Sequence, residues 1–593
     1  MILSGETDVP VSKREGPVTM ALDISIRIGG QAGQGVQAVS YSLGKVFTRH
    51  GYYVLIHQDV ESRIRGGHNY AQIRIQDHPV RSIKDRPDIL VALDAKTIDQ
   101  DLPDLAEDGV LIFDGESTGH PSGRANHLDL PLDRLATEVG GGRIMANTVA
   151  TGAAMASMGT EVEPLLDYLE EQFEDKGTET VERNRACAAA GYRHVRESSV
   201  ASVSQSLSLG TRQPGKLLLN GSEAIAIGSI FSGLKFYAGY PMSPSTAIME
   251  YVASQAREYN IVVEPAEDEI AALNMAIGAS FGGVRAMTAT SGGGFCLMVE
   301  ALSLAGMTET PLVVAVGQRP GPATGLPTRT EQGDLDFVVR AGHGDFPRAV
   351  LAPGNAEQAF YAMARAFNLA DRYQTPVVVL ADQYLLDSYF TVEGLDPTAM
   401  RIDRGKIVPP GEAGPDPVFK RYAYDPSGVS PRILPGQSEA VLYACSDEHT
   451  EEGHITESAE VRKAMVRKRM EKLEGIRREA APPEVIPSGD TDLVLLGWGS
   501  SWGAMREAVG LLRAEGVQAR MVHYSDVYPL GKHGPIERIG EHARIIGLES
   551  NYTGQFADLF QLETGIPVKD RILKYDGRPF SAEEIAEKVR AML

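Results

Sequence analysis

Ile24-Ser-Ile-Arg-Ile28, Gly29-Gly-Gln-Ala-Gly-Gln-Gly35 and Tyr52-Tyr-Val-Leu-Ile56 decide the fold class. The first segment reads as a strand and the glycine-rich run as a turn. Val36, Val39, Leu43 and Val46 then recur at helical spacing, until Gly51 stops the pattern and a second strand begins. A strand, a helix and a strand in succession seed a parallel sheet, so the expected class is α/β. Asp88-Ile-Leu-Val-Ala-Leu-Asp94 and Gly109-Val-Leu-Ile-Phe-Asp114 read as further buried strands of the same block.

Outward from this unit, the 593 residues allow roughly three or four domains. Residues 1–22 are expected to be a disordered tail. Residues 23–197 form a first domain and 198–214 a Ser-rich linker. Residues 215–395 again alternate strands and helices. Its strands include Phe236-Tyr-Ala-Gly-Tyr240, Ala286-Met-Thr-Ala-Thr290, Pro311-Leu-Val-Val-Ala-Val316 and Pro376-Val-Val-Val-Leu380. Residues 396–489 are an irregular Pro- and Gly-rich arm ending in a charged segment, 460–478, whose plain reading is a solvated helix. Residues 490–593 form a last α/β domain opening with the strand Asp492-Leu-Val-Leu-Leu496.

Lys plus Arg number 57 against 79 Asp plus Glu, a net charge of -22 that disfavours nucleic acid and anionic membrane as partners. The three cysteines, Cys187, Cys296 and Cys445, are far apart. That spacing excludes a disulfide framework and a sequence-local zinc or iron–sulfur motif, and fits a reducing compartment. The first 21 residues lack the apolar core of a signal peptide, and no apolar run reaches the ~18 residues of a membrane helix. A soluble, cytoplasmic protein is expected.

Three stretches carry chemistry. Gly29 to Gly35 sits where backbone N–H groups cradle an anion, although its spacing is not Gly-x-Gly-x-x-Gly and a tight turn without a ligand is an equal reading. Arg63-Ile-Arg-Gly-Gly-His68 reads as a compact cationic loop, either solvated or in contact with an anion or a subunit. The third stretch is a constellation in the second block. Tyr240-Pro-Met-Ser-Pro-Ser-Thr246 follows a strand, where α/β sheets bind ligands, and Ser245 or Thr246 also suits a plain helix cap. Glu264-Pro-Ala-Glu-Asp-Glu269 precedes a helix carrying Ile270, Leu273, Ile277 and Phe281 on one face. Glu269 adjoins that charge-free run, and burial there raises a carboxyl pKa. The loop 317–334 holds Arg319 and Arg329 at a strand end, suited to an anionic substrate or left solvated at a rim.

Together these residues resemble the thiamine-diphosphate-dependent 2-oxoacid:ferredoxin oxidoreductase family. Gly29 to Gly35 with Arg65-Gly-Gly67 resembles its γ domain, and Tyr240-Pro-Met-Ser-Pro244 its Tyr-Pro-Ile-Thr-Pro signature, with Ser243 replacing Thr. Glu549-Ser-Asn-Tyr-Thr-Gly-Gln555 resembles the transketolase-type C-terminal domain, and Asp447-Glu-His-Thr-Glu-Glu-Gly-His454 the 2-oxoglutarate branch. The resemblance implies a fused γα subunit with a γ domain, a pyrimidine-binding domain and a transketolase C-terminal-like domain, all with mostly parallel sheets. It implies oxidative decarboxylation of 2-oxoglutarate to succinyl-CoA and carbon dioxide, with reduction of ferredoxin, a reversible step of the tricarboxylic acid cycle. Pyruvate or another 2-oxoacid is the alternative substrate, and a non-catalytic nucleotide- or CoA-binding scaffold the alternative role.

Carried over residue by residue, the resemblance makes Glu269 the glutamate that hydrogen-bonds N1′ of the cofactor's aminopyrimidine, with Ser243 facing the reacting centre. Tyr240 and Pro241 join Glu269 in holding the cofactor. Arg319 takes the substrate's C1 carboxylate, Arg329 its distal carboxylate, and Thr324 a further substrate contact. Gly30, Gln31, Gly33, Gly35 and Arg65 are candidates for a coenzyme A or subunit contact, and no residue is assigned to a metal. Gly-Asp-Gly, the family's diphosphate and Mg²⁺ motif, is absent, and three cysteines cannot hold a [4Fe–4S] cluster. Both groups are therefore expected on a separate β subunit, in an (αβ)2 heterotetramer that passes electrons to ferredoxin.

Overall fold

The computed structural model describes residues 22–62, 66–120, 126–198, 203, 205, 207–414, 417–487, 491, 493–531, 539 and 543–593. Except for Leu22, the tail expected over 1–22 lies outside these residues, as does Arg65.

Strands are numbered along the chain. The first block supplies β1 (Asp23–Ala32), β2 (Tyr53–Asp59), β3 (Gly66–Gln76), β4 (Ile89–Ala92), β5 (Val110–Phe113) and β6 (His127–Asp129). The second supplies β7 (Lys216–Asn220), β8 (Leu234–Gly239), β9 (Val262–Pro265), β10 (Arg285–Ser291), β11 (Leu312–Gln318), β12 (Ala349–Leu351), β13 (Pro376–Asp382) and β14 (Tyr389–Glu393). Beyond residue 480 come β15 (Glu484–Ile486), β16 (Leu493–Trp498), β17 (Ala519–Tyr524), β18 (Asp526–Tyr528), β19 (Arg544–Glu549) and β20 (Asp570–Leu573).

The opening strand–helix–strand unit does form. Val36, Val39, Leu43 and Val46 are buried on the helix Val36–Arg49, and Gly35 enters it at φ 82°, a left-handed backbone that glycine adopts without strain. Its two strands are not neighbours, however. The sheet order is β6–β5–β4–β1–β3–β2–β14–β7, and β3 lies antiparallel between β1 and β2, with Ile73 opposite both Ile26 and Ile56. The connection from Asp59 to Gly66 is too short for a parallel crossover, so the chain can only turn back. The parallel part grows the other way, through β4, β5 and β6. The stretch read as a cationic loop is thus partly strand: Gly66, Gly67 and His68 open β3, and His68 Nε2 lies buried 3.1 Å from Asp101.

Tertiary pairing crosses the block boundaries. β7 and β14 extend the first sheet, with Tyr389 opposite both Ile56 and Asn220. The second sheet runs β18–β12–β13–β11–β10–β8–β9 and is parallel from β12 to β9. Every residue of β10, β11 and β13 is buried, as expected for parallel strands covered on both faces. β18 joins this sheet from the last block, antiparallel to β12. The third sheet, β15–β17–β16–β19–β20, packs Leu495 and Leu548 against Met505, Leu512, Ile585 and Val589 of the helices Trp502–Ala514 and Ala582–Met592. Among the described residues no helix is long and apolar enough to cross a membrane.

The arm is held by buried charge. Asp371 accepts Arg285 and Arg404 at 2.9 Å each and Arg432 at 2.6 Å. The charged segment is the helix Ala459–Glu479, but it is not solvated along one face. Lys468, Arg469 and Lys472 are buried there, because Glu309 receives both lysines, at 2.7 and 2.5 Å, and Glu448 receives Arg469 at 2.8 Å. Burial alone would raise the Glu309 carboxyl, yet Lys472, Lys468 and Arg421 hold it well below the usual carboxylate range. Glu309→Ala leaves two buried lysines unpaired and is expected to destabilise the chain by ~3–5 kcal/mol in denaturant unfolding. The exposed pair Arg340–Asp336 should yield under ~1 kcal/mol on Asp336→Ala, so equal effects would remove the special role of the buried cluster.

Candidate active site

Three segments converge at the carboxyl ends of the second sheet's strands. After β8, the turn 240–245 is fixed by Pro241 and Pro244. Ser245 takes the N-cap position of the helix Thr246–Tyr259, but its hydroxyl donates to the Met242 carbonyl at 2.8 Å instead of accepting from the helix. After β11, the loop carries Arg319, whose Nη1 donates to the Ser243 carbonyl at 2.8 Å. Between them the helix Glu269–Phe281 starts at Asp268, which caps it by accepting from Ala271 N–H at 2.7 Å.

Glu269 is 3% exposed, and its Oε1 has no hydrogen-bond partner. A buried, unpartnered carboxylate oxygen is costly unless something else occupies its place. Thr290 Oγ1, Ser291 Oγ and Asp334 Oδ2 are buried and unpartnered as well. All line the start of the helix Gly292–Met307. A Cβ on Gly294 would come within 2.6 Å of Glu269 Oε1 and 2.1 Å of Thr290 Oγ1, and one on Gly292 within 2.3 Å of Asp334 Oδ2. Only glycine permits this approach. A carboxyl group free to accept, or when protonated to donate, hydroxyls and a glycine-lined floor fit the aminopyrimidine end of thiamine diphosphate.

The electrostatics follow from burial. Asp334 is pushed up to about 6 by burial, with Arg319 opposing, and Glu331 to about 7 by burial and by Asp334. Burial lowers the half-buried Arg319, and Asp334 opposes that shift. Apolar side chains stand exposed around this cleft: Ile270, Met275 and Leu297 are 48%, 39% and 52% exposed. Ile270 is therefore not on the buried face with Leu273 and Ile277, where the helical spacing had put it.

The structure brings together Glu269, Ser243 and Arg319. Tyr240, Pro241 and Thr324 are exposed near them in sequence. Arg329 is elsewhere engaged: its guanidinium pairs with Asp59 and donates to the Val60 carbonyl at 3.0 Å. A guanidinium tied to Asp59 and the Val60 carbonyl is held at the end of β2, so the structure places Arg329 apart from Arg319, which differs from the expectation that it takes the distal carboxylate. Gly30 and Gln31 lie at the end of β1 and Gly33 and Gly35 form the turn after it, where Gln34 accepts from Gln31 N–H at 2.6 Å and donates to the Leu93 carbonyl at 3.1 Å. Asp334, Thr290 and the glycines after Ser291 escaped the sequence reading. Their signal was Ser291-Gly-Gly-Gly294 directly after a strand.

Residues 25–194 match the family "Pyruvate ferredoxin/flavodoxin oxidoreductase", and 227–468 match "Pyruvate flavodoxin/ferredoxin oxidoreductase, thiamine diP-bdg". A 2-oxoacid:ferredoxin oxidoreductase subunit alpha from Saccharolobus solfataricus is 33% identical over 96% of this chain and 98% of its own. A 2-oxoglutarate synthase subunit KorA from Methanothermobacter marburgensis is 32% identical over 63% of this chain and 98% of its own. The solved 2-oxoglutarate:ferredoxin oxidoreductase from Magnetococcus marinus, with 2-oxoglutarate, coenzyme A and succinyl-CoA bound, superposes with a TM-score of 0.89 at 28% identity, covering 96% of this chain and 99% of that one. With γ-type and thiamine-diphosphate-binding regions in one polypeptide and a relative matched nearly end to end, this chain belongs to the 2-oxoacid:ferredoxin oxidoreductase family, as an alpha subunit.

Proposed function

We propose that this alpha subunit, with a separate β subunit, converts 2-oxoglutarate, coenzyme A and oxidised ferredoxin to succinyl-CoA, carbon dioxide and reduced ferredoxin. The observation that carries the reading is the buried, unpartnered Glu269 Oε1 above Gly294, with Arg319 at the Ser243 turn. Thiamine diphosphate supplies, through its C2 position, the nucleophile and electron sink that 2-oxoacid decarboxylation needs. Glu269 holds a proton at N1′ of the aminopyrimidine, in a site dry enough for that proton to be shared. Arg319 receives the substrate's C1 carboxylate, and Ser243 faces the reacting carbon. The Ser243 carbonyl holds Arg319 at the turn, and the charge of Asp334 acts on it from farther off.

The diphosphate, its Mg²⁺ and a [4Fe–4S] cluster are assigned to the β subunit, since Gly-Asp-Gly is absent and the cysteines are only three. The exposed patch around Ile270, Met275 and Leu297 is the surface proposed to receive that subunit, in an (αβ)2 assembly. Coenzyme A is assigned to the first domain. Its turn enters an uncapped helix N-terminus, and Gly33, at φ 94°, has open space where a Cβ would stand. The substrate follows the relatives named for 2-oxoglutarate.

The test is co-expression with the β subunit and an assay of ferredoxin reduction. Dependence on 2-oxoglutarate and coenzyme A is expected, with kcat/KM above that for pyruvate by at least about tenfold. The isolated alpha chain should show no brown iron–sulfur absorbance. A preference for pyruvate rejects the substrate, and iron in the single chain rejects the division of cofactors.

A further inference from the structure

Asp59 ends β2, and its side chain is 3% exposed. It meets two guanidinium groups from distant parts of the chain: Arg329 of the loop 317–334, and Arg578 Nε of the last domain at 2.7 Å. The next residue tightens the grip, since the Val60 carbonyl accepts from both Arg329 Nη1 and Thr328 Oγ1. Thr330 N–H donates to the Gly577 carbonyl at 3.3 Å, and Tyr384 N–H to Thr330 Oγ1 at 3.2 Å. Gln332 N–H donates to the Ser550 carbonyl at 2.6 Å and Gln332 Nε2 to the Trp498 carbonyl at 2.9 Å. The second half of the loop is therefore stitched to the first and last domains. Its first half is exposed from Gly321 to Leu326 and is tethered by Arg319, which donates to the Ser243 carbonyl.

We propose that Asp59 is a positioning residue for the reaction: shared between Arg329 and Arg578, it anchors the loop that carries Arg319 to the cleft. This inference rests on the function proposed above. Among the described residues, Asp59 is the carboxylate within ion-pair distance of either arginine. Burial lowers Arg329, Asp59 opposes that, and Arg578 adds to it, as expected for two like charges crowded around one carboxylate. His57 cannot help, because burial together with Arg578 and Arg329 pushes it down to about 3 and leaves it neutral. Without the Asp59 charge, the largely buried Arg329 is left beside the part-exposed Arg578 with no counter-charge, and the loop must move to separate them. Arg319 sits on that same loop, so its placement over Ser243 is the property at stake.

The test uses the assembled αβ complex. In Asp59→Asn, KM for 2-oxoglutarate is expected to rise about tenfold with kcat within about twofold, the signature of a displaced binding group. Amide exchange of peptides spanning 319–330 should quicken, while exchange of the cofactor's C2 proton, which depends on Glu269, stays as in wild type. Asp59→Glu should recover most of the KM. Asp59→Asn with Arg329→Met should be no worse than Arg329→Met alone, because both act through one contact. That double variant removes the charge imbalance and carries the comparison if Asp59→Asn fails to fold. Additive losses, or unchanged exchange over 319–330, overturn the proposal. Absence of turnover on any 2-oxoacid by the wild-type complex instead rejects the proposed function, and the amide-exchange comparison then still decides on the anchor.

Discussion

Glu269→Gln is expected to lower turnover of the αβ complex by on the order of 10²–10⁴-fold, the range that positioned proton transfer contributes. The amide has the carboxylate's shape, so the close approach of Gly294 survives and the floor of the cleft stays in place. The helix is not at risk either, since its cap is Asp268 and not Glu269. What the variant loses is the ability to hold a proton at N1′ and return it. The direct readout is deuterium exchange at C2 of bound thiamine diphosphate, compared between variant and wild type at equal occupancy. Slow exchange with an unchanged melting temperature is the expected pair of results. Near-normal exchange would take the role away from Glu269.

Arg319→Met is expected to reduce kcat/KM by roughly 100-fold, about 3 kcal/mol, because a buried carboxylate–guanidinium contact that loses one partner costs 2–5 kcal/mol. The loss should be the same for 2-oxoglutarate and 2-oxobutyrate, since both carry the C1 carboxylate. The neighbouring acid makes the assignment sharper. Burial already holds Asp334 at about 6, and Arg319 is the charge that opposes this. Removing Arg319 should move the Asp334 titration upward. The sign is that of a raised acid: its neutral form is favoured below that pKa, and above it a carboxylate repels an anionic substrate. KM of the variant should therefore climb as pH rises through the region above about 6. Asp334→Asn in the Arg319→Met background should flatten that climb. A pH-independent KM in the single variant, or unequal losses on the two substrates, would place Arg319 outside the carboxylate site.

Local pattern carried much of the architecture. The helix at Val36, Val39, Leu43 and Val46, and the strands that became β1, β2, β4, β5, β8, β10, β11, β13 and β16, were legible because apolar runs and helical spacing are properties of short stretches. Glu269 was legible for the same reason, as a charge set against a long apolar run. β3 was missed although Ala71, Ile73 and Ile75 alternate with Gln72, Arg74 and Gln76, because its polar side also goes inside. Arg74 is buried there by Asp23 and Glu507, the latter more than four hundred residues away.

By itself, then, the sequence determined the α/β class, many of the elements along each block and the acid at the head of an apolar helix, all set by neighbours within a few residues. Only the tertiary structure decided which strands pair, and hence that β7, β14 and β18 sit in sheets of other blocks. It alone decided that Lys468 and Lys472 are inside and that Arg329 faces Asp59 and not the cleft. The physical reason is common to these cases: the place of a charged side chain depends on where its counter-charge lies, and here Glu309 and Asp59 lie far away along the chain from the cations they receive.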